Sequence, residues 1–162
     1  MTVNRTMKKK VLFVCTHNNA GSQMAEAFLN HICGNVFEAY SAGLDPRRVN
    51  PFVIEAMHEI EMDISGNNSK WVFDFVEMGK TFAHVILCDA ASAERCPNFP
   101  GWNNRLNWNL PDPSDFQGTP QEKLAKTREL REMIRKKVHQ WCMQAAQEPV
   151  AFEETKGSRI SL

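Results

Sequence analysis

VLFVCTHNNAGSQMAEAF, residues 11–28, is the stretch that decides the fold. Four apolar residues run into Cys15, six polar or small residues follow, and from Ser22 apolar residues recur at helical spacing: Met24, Ala25, Phe28, Leu29 and Ile32. The stretch reads as a buried strand, a tight loop and a helix, with a cysteine at the carboxyl end of the strand. The loop amides and the helix N-terminus then converge on one spot, which makes an anion trap with a thiol at its centre. A thiol near a helix N-terminus can have its pKa lowered from about 8.5 to between ~3.5 and ~7.5, and Cys15 has that placement. The Ser22 hydroxyl can donate to the thiolate, and Asn18 tolerates the left-handed backbone such a loop needs. By position alone, Cys15 is either this nucleophile or an ordinary core cysteine at a strand end.

Outward from this stretch, the pattern alternates strands with helices. The first helix spans 22–33 and stops at Gly34; a second strand covers 36–41 and ends in Ala42-Gly43. Asn50-Pro51 is a cap followed by proline at the first helical position, opening a helix to about residue 61 with Phe52, Ile54, Met57 and Ile60 inward. A further helix is expected over 69–78 and strands over 82–88 and 105–110. Thr119-Pro120-Gln121-Glu122 is a capping box that opens a long helix to about residue 146, with Leu124, Leu130, Ile134, Val138 and Trp141 on one face. Such alternation implies an α/β domain, a parallel sheet covered by helices on both faces, with ligands at the carboxyl ends of the strands. Cys15, Cys88 and the loop before Thr119 belong to that end. The domain is expected over 8–147, with loosely held tails at 1–7 and 148–162.

The chain has 162 residues, enough for one domain with one core. Its 19 Lys+Arg balance its 19 Asp+Glu, which argues against nucleic-acid or membrane-surface binding driven by bulk charge. The run from Val11 to Val14 is too short for a signal peptide or a membrane span, so a soluble cytoplasmic protein is expected. Five cysteines, without a signal peptide, do not suggest a disulfide scaffold. Cysteine and histidine spacing offers no zinc site, and no cofactor is implied.

Three more positions carry candidate chemistry. Cys88 and Cys96 flank a polar segment, and two thiols so placed either close into a disulfide when the segment moves or are unrelated small residues. Cys33 and Cys142 fall within amphipathic helices and read as structural. Asp112, on the loop Leu110-Pro111-Asp112-Pro113, is either a general acid for a leaving oxygen or a turn aspartate. His17 either contacts an oxyanion or is a surface loop histidine.

Together these segments resemble the low-molecular-weight protein tyrosine phosphatase superfamily, and within it the thioredoxin-coupled arsenate reductase branch. The likeness runs over roughly residues 10–145. Cys15–Ser22 matches the family's C-x5-R-S loop, Gln23-Met24-Ala25-Glu26-Ala27 continues it, and Ser41-Ala42-Gly43, Asp63-Ile64-Ser65-Gly66 and Asp112-Pro113 follow in order. The resemblance implies a flavodoxin-like three-layer sandwich around a four-stranded parallel sheet. It implies that Thr16, His17, Asn18, Asn19, Ala20, Gly21 and Ser22 bind the oxyanion, arsenate with phosphate as competitor. It further implies a relay in which Cys15 attacks arsenate, Asp112 protonates the departing hydroxyl, Cys88 attacks Cys15, and Cys96 attacks Cys88. Thioredoxin would then reduce the Cys88–Cys96 disulfide. One residue departs from the pattern: Gly21 stands where the family has an arginine whose planar fork grips two oxyanion oxygens. A tyrosine phosphatase, or a non-catalytic anion-binding or redox-sensing protein, are the alternative readings.

Overall fold

The computed structural model describes residues 7–147, so the tails expected at 1–7 and 148–162 lie, Met7 excepted, outside the described residues. Four strands, β1 (Lys9–Cys15), β2 (Phe37–Gly43), β3 (His84–Leu87) and β4 (Asn104–Asn107), form one parallel sheet in the order β2-β1-β3-β4. Helices α1 (Gly21–Ile32), α2 (Pro51–His58), α3 (Val72–Glu77), α4 (Ala90–Arg95) and α5 (Pro120–Ala145) connect and cover it. This is the flavodoxin-like α/β architecture.

The period-2 geometry of β1 divides the core in two. Val11, Phe13 and Cys15 face one side, where they pack with α1, α2 and α5 through Met24, Phe28, Met57 and Ile134. Leu12 and Val14 face the other, against Val72, Phe75, Phe82 and Phe99. A strand buried on both faces must be apolar at every position, which is why residues 11–14 show no alternation.

The chain leaves β1 for β2 on one side and returns to β3 on the other. The order therefore reverses between β1 and β3, and the crevice at their carboxyl ends is where such sheets bind ligands. Val14 pairs with Leu87, so Cys15 and Cys88 are the next residues in register. Both join the same core face.

Several expected elements are displaced. The inward residues of α2 are Val53, Ala56 and Met57, while Phe52, Ile54 and Ile60 are half-buried. The helix ends at His58, before Glu61 takes a positive φ of 64°. The fourth strand starts one residue earlier than expected and ends at Asn107, with all four residues exposed, as suits a sheet edge. On α5, Thr127, Cys142 and Ala145 are buried, and Leu124 and Trp141 only partly. Trp141 instead packs against Phe37, tilted, and against His84, edge-on, with ring centroids 5.2 and 5.0 Å away.

The cysteine count suggests no disulfide scaffold, yet Cys33 and Cys142, read as structural, are joined by a disulfide. Cys33, at the C-cap of α1, is bonded to Cys142 of α5, with Cα atoms 6.6 Å apart. The helices pack side by side on one sheet face, and this brings their carboxyl ends together across 109 residues of sequence. Cysteine spacing carries no trace of such a contact. Among the described residues, no helix is long and apolar enough to cross a membrane.

Candidate active site

The loop between β1 and α1 wraps the Cys15 sulfur. The Asn18 amide donates to Sγ at 3.2 Å, and Ser22 Oγ lies 2.9 Å from it. Asn18 holds the loop's left-handed position, with φ 50°. Its side-chain amide donates to Ser22 Oγ at 2.9 Å, and its Oδ1 accepts from the Lys70 amide at 2.8 Å. Gln23 Nε2 donates to the Asn18 carbonyl at 3.1 Å. The loop is thus fixed from behind by buried amide side chains. Gly43 allows this closeness: a Cβ there would stand 2.9 Å from both the Asn18 nitrogen and the Thr16 carbonyl oxygen.

A cavity of about 390 Å³ opens over the loop. Cys15, Thr16, His17, Asn19, Ala20, Gly21, Cys88 and Asp112 all line it. Three separate segments of the sequence thus meet at one cavity. Asn18 and Ser22 are wholly buried behind the wall, where they hold the thiol rather than face the cavity. Cys96 is not a lining residue. It is half-buried at the C-cap of α4, with its thiol 3.5 Å from the Pro97 carbonyl.

Three features escape sequence reading. Residues 90–95 form helix α4, capped by a reciprocal Asp89–Ser92 box. Asp89-x-x-Ser92 is the short pattern that would have found it. Asp89 itself lines the cavity, and its Oδ2 accepts both the Thr16 amide and the Thr16 hydroxyl, each at 3.0 Å. Asp115 and Leu110 also line it, so three carboxylates, Asp89, Asp112 and Asp115, face the cavity.

Positive charge is scarce. Among the described residues lining the cavity, only His17 can carry it. Its Nδ1 lies 3.0 Å from the Asp45 carbonyl oxygen, which makes Nδ1 the donor, and 3.7 Å from the Asp45 carboxylate. Arg47, Arg48, Lys70 and Arg95 do not line the cavity. Arg47 pairs with Asp45, and Lys70 lies near Glu26. At Gly21 a Cβ would meet Leu110 Cδ1 at 3.2 Å and Ile134 Cδ1 at 3.8 Å. The space beside the loop where a side chain would begin is edged by aliphatic carbon.

Electrostatics correct one expectation. Burial pushes the Cys15 thiol above its ordinary value, against the hydrogen bonds from Ser22 and Asn18, and the Asp89 carboxylate adds to the rise. The Cys88 thiol is raised well above its ordinary value by burial, with Cys15 and Asp89 contributing. Asp89 is held below the usual carboxylate range by its bonds to Ser92 and Thr16 despite its burial. Asp112 caps the turn Pro113–Asp115, with Oδ1 accepting from the Ser114 amide at 2.9 Å and hydroxyl at 2.8 Å. It is a turn aspartate, and the turn presents it to the cavity.

The family profile described as low molecular weight phosphotyrosine protein phosphatase matches residues 10–151. An arsenate reductase from Halalkalibacterium halodurans is 38% identical over 131 residues, covering 81% of this chain and 93% of that protein. A solved arsenate reductase in its phosphate-binding state superposes with a TM-score of 0.65 at 28% identity, over 85% of this chain and 98% of that one. A thioredoxin-dependent arsenate reductase from Corynebacterium glutamicum gives 0.58 at 29% identity, over 86% of this chain and 64% of that one.

Proposed function

Because the chain belongs to the low-molecular-weight phosphotyrosine protein phosphatase family, we propose that it reduces arsenate to arsenite through Cys15, Cys88 and Cys96, with thioredoxin as reductant. The observation that carries this reading is the pair of thiols, Cys15 and Cys88, lining one cavity from adjacent strands. A phosphatase needs only the first. The arsenate reductases among its relatives support the substrate, and the thioredoxin-dependent one supports the reductant.

In this mechanism the Cys15 thiolate attacks arsenic, and Asp112 gives a proton to the departing hydroxide, which leaves as water. Cys88 then attacks the Cys15 sulfur. The S–As electron pair stays on arsenic, which falls from the +5 to the +3 state, and arsenite leaves. Cys96 attacks Cys88, freeing Cys15, and the Cys88–Cys96 disulfide passes its oxidation to thioredoxin by thiol exchange. The loop amides and the helix N-terminus bind the oxyanion. Among the described lining residues, His17 is the one side chain able to carry positive charge where the family has its arginine.

The test is NADPH oxidation coupled through thioredoxin reductase and thioredoxin, with arsenite measured as product. Turnover is expected in the natural protein and is abolished by Cys15→Ser, Cys88→Ser or Cys96→Ser. Turnover no higher than that of Cys15→Ser overturns the proposal. Aryl phosphate hydrolysis that survives Cys88→Ser would replace it with a phosphatase.

A further inference from the structure

Asp89 joins two parts of the site that the proposed chemistry must move apart. Its Oδ2 accepts two hydrogen bonds from Thr16, next to the nucleophile, and its Oδ1 accepts from the Ser92 amide at 2.9 Å. Ser92 Oγ completes the cap at 2.9 Å from the Asp89 carbonyl, to which it donates. One carboxylate therefore ties the Cys15 loop to the start of α4, the helix lying between Cys88 and Cys96. A helix of that length is about 9 Å long, whereas a disulfide requires Cα atoms within roughly 7 Å. With α4 wound, Cys88 lines the cavity while Cys96 sits off it at the far end of the helix, and both thiols are free.

From this arrangement we infer that Asp89 is a latch. It holds α4 helical while the loop is empty, and an oxyanion in the loop releases it. Asp89 is a positioning residue and takes no part in bond making. The inference rests on the three-thiol reading of the site. Two physical conflicts drive the release. An oxyanion on the loop competes for the Thr16 amide and hydroxyl that Asp89 now occupies. Its charge also opposes a carboxylate facing the same cavity. Once Thr16 turns to the substrate, the Asp89 cap of α4 loses both of its hydrogen bonds to the Cys15 loop. The consequence is protection: Cys88 and Cys96 stay apart, and reduced, until there is substrate to reduce.

The test uses the full chain in a Cys15→Ser background, so that Cys88 can pair only with Cys96. Diamide is the oxidant: the two thiols lose two electrons and two protons, the S–S bond forms, and the azo bond becomes a hydrazine. Asp89→Ala should speed closure of Cys88–Cys96 about 5- to 10-fold and raise amide exchange over residues 90–95 by a similar factor. The discriminating variant is Thr16→Val, which leaves the α4 cap untouched. It should speed closure about 3-fold, and adding it to Asp89→Ala should give no further gain. If Asp89→Ala fails to fold, Thr16→Val still decides. In the protein retaining Cys15, inorganic arsenate should raise exchange over α4.

A Thr16→Val variant with unchanged closure and unchanged α4 exchange overturns the latch and leaves Asp89 a simple helix cap. So do effects of the two substitutions that multiply. Absence of arsenite formation would instead sink the functional proposal, while the diamide rates would still judge the latch.

Discussion

Restoring an arginine at residue 21 tests what the site lacks. Gly21 is the first residue of α1, wholly inside the protein and on the cavity wall. A guanidinium there would add two charge-assisted hydrogen bonds to an oxyanion. At about 1.5–3 kcal/mol each, these amount to about 3–6 kcal/mol, or on the order of 10²–10⁴ in rate. The offset is steric. The new Cβ would sit 3.2 Å from Leu110 Cδ1, so the end of that half-buried side chain must give way. Overpacking of this kind costs about 1–3 kcal/mol. Replacing a helical glycine returns about 0.5–1 kcal/mol. Gly21→Arg should therefore fold with a modest loss of stability and raise kcat/KM for arsenate about 10²-fold or more in the thioredoxin-coupled assay. The Cys15 thiol should also titrate lower. A folded Gly21→Arg protein with unchanged kcat/KM would refute the reasoning, by showing that His17 and the loop amides already supply the charge.

Three further outcomes follow from the same geometry. Alkylation of Cys15 by iodoacetamide should keep accelerating as pH rises past the ordinary thiol range, because burial holds the proton on; Ser22→Ala, which removes the 2.9 Å contact, should move that profile higher still. Cys142→Ser should lower stability by about 2–4 kcal/mol, since the bond closes a loop of order 100 residues. That is a fall of roughly 5–15 °C in Tm by calorimetry, with the intact Cys33–Cys142 peptide visible in a non-reducing digest of the natural protein. His84 is pushed down to about 4 by burial and by Lys9. Because its folded value lies below the unfolded value of about 6.5, its contribution is intact above that pH and is lost as pH falls through about 4. His84→Gln should flatten the denaturation midpoint over this range.

Much of the site was legible because its determinants are local. The strand, loop and helix of residues 11–28 carry their own periodicity, and a cysteine ending an apolar run is delivered to the ligand end of a parallel sheet. The same logic places Cys88, one residue past Leu87. What escaped is set by contacts between distant segments. Asp89 reads as one polar residue among several until β3 brings it against Thr16, 73 residues away in sequence. The Cys33–Cys142 bond depends on how α1 and α5 pack. The upward push on the Cys15 thiol has the same origin: a helix N-terminus is visible in sequence, whereas burial of Cys15 among core residues is a property of the folded chain.

The central claim is a relay, and a single turnover without thioredoxin tests it most directly. Reduced protein mixed with arsenate should release one arsenite per chain, and its peptide map should gain a Cys88–Cys96 disulfide. Cys96→Ser should instead trap Cys15–Cys88. Arsenite release with Cys88 and Cys96 still free, or no release while both thiols remain reduced, would contradict the account.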